Sequence, residues 1–490
     1  MEREAKPKSK IWKKILSIVL IIIGMIAFLL GGAFLKASLF GSNYTGRDLD
    51  KHITFEDEIQ EIQPLKAVGK GLYNKNGDLV TLNGVNFGNW LIQEGWLSST
   101  SLGPLLKEDG SYKEVNEDGI VTGYEEMYQE EIIEAINNNP NLTAEQIEVL
   151  WDVYYKSYIQ EEDFKNVKDL GLNTIRLPMY YRNFLKGDDD NLVMRDDAFT
   201  LLDWFLEMCK KYELYAVLDM HGVVGGNNGY EHSGSRKYDF WTNKTYQETI
   251  CNLWKNIASH YMNDRKDLIE TIATFDIINE PCGESKTTEK EQWIVMDKIY
   301  KAIREVDDLH VITFEGCWYF SSFPNPEDYK WENVMYEVHL YNWSPTISNE
   351  LFFKFHDLLF SFADYDVPYY IGEFNFFDDE EQWLKWLNEF DMRNYSWTIW
   401  NYKMASVGNW DNSWGLYVYK MNLKKDELKL DLRTATFEEI YEEWSTQGTS
   451  QKYTSTGLMK KVIEEHYIQK KLNEDKKQHE NEEIIESSIN

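Results

Sequence analysis

Phe275-Asp276-Ile277-Ile278-Asn279-Glu280-Pro281 reads as a short apolar strand that stops abruptly on an amide and an acid. Downstream, Tyr370-Ile371-Gly372-Glu373-Phe374 repeats the pattern: a short apolar run delivering a glutamate at its end. An acid at the C-terminal edge of a strand is where a (β/α)8 barrel builds its site chemistry. Two acids facing each other across a sugar ring are the minimum equipment for cleaving a glycosidic bond.

Working outward, the same kind of run recurs at Asn83–Phe87, Thr174–Leu177, Tyr215–Met220, Thr274–Asn279, Val311–Glu315, Met335–Leu340, Tyr369–Gly372 and Trp397–Trp400. Helical periodicity fills the intervals, as in Thr200–Tyr212, Lys244–Tyr261 and Thr288–Val306. Eight strands alternating with helices predict a closed parallel barrel, a (β/α)8 TIM barrel of the α/β class. Thr436-Phe437-Glu438-Glu439 carries the capping-box pattern that opens one more helix of the wheel.

Composition narrows the function. Of 490 residues, 43% are hydrophobic and 15% aromatic, enough for one large core, with rings to spare for stacking on flat sugar faces. The formal net charge of −32 repels phosphate backbones, so nucleic acid is not an expected partner, whereas a neutral glucan meets no electrostatic conflict. The four cysteines, Cys209, Cys251, Cys282 and Cys317, make no disulfide framework and no zinc-ligand spacing, so no metal and no cofactor are expected. Cys282 and Cys317 follow consecutive strands and are expected as free thiols.

The ends of the chain differ from its middle. Ile15 to Leu35 is an uncharged run of the length that spans a ~30 Å hydrocarbon layer as a helix. Arg3, Lys6, Lys8, Lys10, Lys13 and Lys14 precede it, and only Lys36 and Arg47 follow closely. That asymmetry predicts a basic cytoplasmic tail at 1–14, a single-pass signal anchor at 15–35 in the plasma membrane, and everything after it outside the cell, with a cleaved signal peptide as the competing reading. Residues 36–63 read as a polar tether, 64–455 as one catalytic barrel, and 456–490 as a charged tail that is helical and then solvated.

Taken in order, the strand ends carry Arg176, His221, Asn279 with Glu280, His339 with Tyr341, Glu373 and Trp400. A barrel brings these positions to one mouth although they are far apart in sequence.

With these residues in place, the chain resembles glycoside hydrolase family 5, the cellulase-like group of retaining (β/α)8 glycosidases, and within it the exo-β-1,3-glucanase branch. Gly84-Val85-Asn86-Phe87-Gly88-Asn89-Trp90-Leu91 is similar to the branch's opening strand. Tyr158 to Phe164, continued by Leu172-Asn173-Thr174-Ile175-Arg176, is similar to its second. Leu218-Asp219-Met220-His221-Gly222, with Asn227-Asn228-Gly229-Tyr230 and Ser233-Gly234, is similar to its third strand and following loop. Two departures fall at the cleft: Val223-Val224-Gly225 replaces a proline-bearing turn, and Phe374-Asn375 follows Glu373 where the branch has Trp-Ser.

The resemblance implies that Glu373 is an ionised nucleophile beside Arg176 and Tyr341, and that Glu280 is the acid/base with a raised pKa. It implies Asn279 on the sugar 2-hydroxyl, His221 and His339 on hydroxyls or orienting the acids, and Trp400 as a stacking floor. Trp90, Tyr230, Glu315 and Trp410 are candidates for outer subsites. The expected activity is a membrane-anchored retaining β-glycosidase acting on β-1,3- or β-1,4-glucan, as a monomer. A non-catalytic glycan-binding barrel, a transglycosylase and another family 5 specificity such as mannanase are the alternatives.

Overall fold

The structure is a computed structural model that describes residues 62–471, apart from 101, 108, 110, 112, 116–123, 282–287, 317–322, 345, 361–364, 407–413, 421–429 and 456. The proposed anchor at 15–35, the basic tail at 1–14, nearly all of the tether, Cys282, Cys317 and Trp410 lie outside the described residues. Among the described residues no helix is long and apolar enough to cross a membrane.

Eight parallel strands close into a barrel: β1 Asn83–Asn86, β2 Thr174–Tyr180, β3 Tyr215–Gly222, β4 Ile272–Asp276, β5 Val311–Glu315, β6 Val334–Tyr341, β7 Tyr369–Asn375 and β8 Ser396–Ile399. The closing pair is β8 with β1, in the register Trp397 opposite Asn83 and Ile399 opposite Val85. The eight runs picked out by periodicity are these eight strands. The helix Lys244–Asn263 shows how the longer helices bury an apolar face, here Ile250, Leu253, Trp254, Ile257 and Tyr261. Thr436 caps the helix Phe437–Trp444 by accepting the Glu439 N–H, as its sequence pattern predicts.

Below the barrel, a three-stranded antiparallel sheet (Lys66–Val68, Gly71–Tyr73, Leu79–Val80) presses Leu65 and Leu72 against Val217, Ala273, Val311, Met335 and Tyr370. The packed unit begins at the very end of the expected tether. Ile62 is buried, and the Tyr215 hydroxyl donates to the Gln63 carbonyl at 3.1 Å. It also extends past residue 455, where the helical residues 458–471 bury Met459, Val462 and Ile463. Cys209 and Cys251 are free thiols; Cys209 is fully enclosed, and burial pushes its thiol well up.

The fourth strand differs from its sequence reading in a way that matters. Regular pairing stops at Asp276, so Asn279 and Glu280 stand beyond the ladder. Irregular bonds carry the chain there: Ile277 N–H to Thr313 O at 3.3 Å and Asn279 N–H to Met220 O at 3.2 Å. Glu280 itself has φ of +38°, the left-handed region. A non-glycine residue held there costs of the order of 1–3 kcal/mol and persists only where its surroundings over-determine it.

Candidate active site

The surroundings of Glu280 come from three strands and one loop. Its backbone N–H donates to Glu315 Oε2 at 2.6 Å, and its carbonyl accepts the Asn228 amide at 3.1 Å. One residue earlier, the Asn279 carbonyl accepts Asn227 Nδ2 at 2.7 Å. The loop after β3 therefore clamps the tip of β4. The loop keeps its shape through a short 3-10 turn at Glu231–Ser233 that ends on Gly234 with φ of +72°. A Cβ on Gly234 would lie 2.9 Å from the Tyr180 ring, so both its conformation and its space select glycine there.

Arg176 is the electrostatic centre. Fully buried on β2, its guanidinium reaches Asp219 (3.1 Å), Asp276 (2.8 Å), Glu337 (3.3 Å) and Glu373 (3.0 Å). It also donates to Asn86 Oδ1 at 3.1 Å and to Asn279 Oδ1 at 2.8 Å. A buried cation with this many acceptors fixes the carboxylates around it as much as it neutralises them. Tyr341 donates to Glu373 Oε2 at 2.8 Å, and His339 Nδ1 lies 2.8 Å from Glu280 Oε1. Glu280 and Glu373 therefore face each other, with carboxylate oxygens within 4.8 Å of one another and of a His339 nitrogen.

A cavity of about 340 Å³ opens above this pair, at the small end of the ~300–1,000 Å³ usual for ligand sites. Its walls include His221, Asn279, Glu280, Tyr341, Glu373 and Trp400, six of the eight residues expected from the strand ends. Arg176 and His339 stand behind the two acids instead. Trp400 lies flat against His221, with ring centroids 5.6 Å apart and planes 9° apart. Of the outer-subsite candidates, Tyr230 lines the cavity. Glu315 is buried beneath Glu280. Trp90 belongs to the core: its indole N–H donates to the Tyr155 carbonyl and its ring packs on Trp204 and Phe205.

The cavity also holds residues that strand-end reasoning did not single out: Glu94, Trp96, Glu126, Glu231, His232, Trp343 and Trp414. Glu126 comes from the long insertion between the first two strands. His232 and Glu231 lie inside the quoted loop, where only neighbouring positions carried a recognisable signal. Glu94 is buried, with its Oε1 lacking a hydrogen-bond partner. It faces His221 Nε2, likewise unpartnered, at 4.0 Å. The His221 Nδ1–H donates to Asp219 at 2.6 Å, which leaves Nε2 as an acceptor.

Proton positions follow from the same contacts. Burial pushes Glu94 up to about 8, against the pull of His232. Burial likewise drives Glu373 well above the usual carboxylate range, Arg176 opposing and Glu280 reinforcing. At Glu280 burial is outweighed by His232 and by the hydrogen bonds from His232 and His339, which hold it well below that range. His232, 2.9 Å from Glu280 Oε2, is pushed up to about 10 by Glu280, Glu94 and Glu231 despite its burial. These directions run opposite to those expected from the sequence, a lowered Glu373 and a raised Glu280. At Glu373 burial is the cause, whereas at Glu280 the His232 imidazole, a residue the sequence reading passed over, opposes burial most strongly.

A family model described as cellulase (glycosyl hydrolase family 5) matches residues 129–406, more than half of the chain. The chain belongs to glycosyl hydrolase family 5. Among similar proteins, a beta-xylosidase of Phanerodontia chrysosporium is 29% identical over 285 residues, covering 57% of this chain and 52% of the relative. A sporulation-specific glucan 1,3-beta-glucosidase of Saccharomyces cerevisiae is 27% identical over 281 residues, covering 55% of this chain and 58% of the relative. The chain thus spans about half the length of these relatives. In three dimensions the fold is similar to that of a rutinosidase from Aspergillus niger, with a TM-score of 0.52 at 15% identity, over 79% of this chain and 97% of that one.

Proposed function

We propose that this family 5 member is a retaining β-glycosidase that hydrolyses β-glucan by double displacement. The observation that carries the reading is the spacing of Glu280 and Glu373. One oxygen of each carboxylate lies within 4.8 Å of the other, in keeping with the ~5–5.5 Å separation of retaining enzymes and short of the ~6.5–9.5 Å of inverting ones. The glucan assignment draws on relatives named as glucan 1,3-beta-glucosidases and endoglucanases, and on a cavity walled by Trp96, Trp343, Trp400 and Trp414 that suits pyranose faces.

In the reacting form Glu373 is ionised. Arg176 and Tyr341 orient its two oxygens, and one of them attacks the anomeric carbon. Glu280 gives a proton to the departing oxygen, then takes one from water as the glycosyl–Glu373 bond breaks. Asn279, its Oδ1 held by Arg176, turns its amide toward the sugar 2-hydroxyl. His221 lines the same pocket, and Trp400 supplies the flat wall. We further propose that residues 15–35 anchor the enzyme in the plasma membrane with the barrel outside.

Turnover of laminarin, lichenan and carboxymethylcellulose by Glu280→Gln and Glu373→Gln tests the roles. Each variant is expected to lose about 10²–10⁴-fold or more in kcat. The first product seen by proton NMR should be the β-anomer. An α-anomer released first, or near-wild-type hydrolysis by either variant, refutes the mechanism.

A further inference from the structure

His232 touches the acid/base and is not among the strand-end residues. Its Nε2 lies 2.9 Å from Glu280 Oε2, and its ring packs on Tyr230 (29° between planes) and edge-on to His221. The charged and titratable groups around the pair are Glu94 from the segment after β1, Glu231 from the same turn, and His221 from β3. On the far side of Glu280 stand His339, Glu315 and Glu373.

One neighbour makes the contact unusual. The Asn228 side chain accepts the Tyr230 N–H on Oδ1 at 2.9 Å and donates from Nδ2 to the Glu280 carbonyl at 3.1 Å. That orientation leaves the second amide hydrogen aimed at His232 Nε2, 2.7 Å away. The one nitrogen therefore meets two opposite demands. The Glu280 carboxylate calls for an N–H there, whereas the Asn228 amide calls for a lone pair. With the proton on the imidazole, the carboxylate is satisfied and the amide opposed. With the proton on Glu280, the amide is satisfied and the carboxyl donates or turns to the substrate. Neither placement satisfies all three groups, so their contacts bring the two forms closer in energy than an isolated ion pair would be.

We propose that His232 is a positioning residue for Glu280: a single proton is shared between His232 Nε2 and Glu280 Oε2, and this is the proton that the departing oxygen receives. In the first half-reaction it passes from the imidazole to the carboxylate and on to the glycosidic oxygen. The C–O bond breaks and the Glu373–carbon bond forms. The pair is left as neutral imidazole and carboxylate. In the second half-reaction water gives a proton to that carboxylate while its oxygen replaces Glu373 on the anomeric carbon, restoring the shared proton. The imidazole thereby keeps the acid supplied at pH values where an isolated glutamic acid would be empty.

This inference rests on Glu280 being the acid/base, and the test separates the two. Side-chain ¹⁵N NMR of histidine-labelled full-length protein, with the His232 signal identified by its loss in His232→Asn, follows the imidazole without turnover. In Glu280→Gln the His232 midpoint is expected to fall by two or more pH units; an unmoved midpoint overturns the sharing. For kcat/KM on a substrate with a poor leaving group, His232→Asn should bring the alkaline limb down by at least one pH unit. On a dinitrophenyl glycoside, whose leaving group needs no proton, the same variant should be nearly unchanged in the glycosylation step. A uniform loss on both substrates with unmoved limbs overturns the proposal and makes His232 a packing or hydroxyl-binding residue. Wild-type hydrolysis by Glu280→Gln would refute the acid/base reading, while the NMR midpoint would still report on the pair.

Discussion

The bottom and the top of this barrel are built on the same strands by the same two-residue alternation, yet they are chemically opposite. On β3 the alternating positions run Val217, Asp219, His221. On β5 they run Val311, Thr313, Glu315, and on β6 Met335, Glu337, His339, Tyr341. The lower members pack with Leu65 and Leu72 in an apolar plug, whereas the upper ones surround Arg176 or line the cavity. Moving two residues up a strand, about 6.6 Å, replaces hydrocarbon by buried charge. The lower end contributes stability through hydrophobic burial. The upper end spends some of that stability on desolvated acids, because only buried charges held by fixed partners differ enough in pKa to divide the roles of acid and nucleophile.

Substitutions at the two ends should therefore separate activity from stability. The largest effect is expected for Arg176→Met, which leaves four buried acids without their cation. A loss of about 3–5 kcal/mol in chemical denaturation, together with loss of detectable hydrolysis, is the expected result. Retained activity would mean the acids are held by other groups. Next comes Leu72→Ala in the plug, expected to cost about 2–5 kcal/mol while kcat/KM of the folded enzyme stays at the wild-type value. A changed kcat/KM would show that the two ends are mechanically coupled.

The smallest effect is expected at a charge on the lower rim. Asp391 accepts from Asn83 (3.0 Å) and from the indole of Trp397 (3.3 Å), and it lies 3.0 Å from His466 Nε2 and 3.3 Å from Lys470 Nζ. It thus ties the closing strands to residues 458–471. Burial works against its charge, but these partners hold its carboxyl well below the usual range. A depressed folded-state value means the stabilisation is present above about pH 4 and is lost as the pH falls through the folded value. Asp391→Asn should lower Tm at pH 7, by the equivalent of about 1.5–3 kcal/mol, with the gap from wild type narrowing below about pH 4. A pH-independent gap would assign the effect to packing.

Much of this was legible before any coordinates. All eight strands carried apolar runs bounded by polar residues, and the barrel brought His221, Asn279, Glu280, Tyr341, Glu373 and Trp400 to one mouth, with His339 and the mid-strand Arg176 behind the two acids. Glu94, Trp96, Glu126, Glu231, His232, Trp343 and Trp414 were not legible, because they lie between the barrel strands on segments whose course depends on what they pack against. Periodicity carries no information about such segments. Glu315 showed the converse: it ends a strand like the others, but Glu280 bends over it, so the acid became a support for the acid/base.

The sequence by itself determined the barrel and the pair of acids, because alternation of side chains along a strand and the convergence of strand ends are consequences of backbone geometry. Tertiary structure alone decided the electrostatic surroundings of each acid. Those depend on an imidazole 2.9 Å from Glu280, on a loop pinned by Asn227 and Asn228, and on the depth of burial around both. Electrostatic energies vary with distance and local dielectric, and neither quantity is written in the order of the residues.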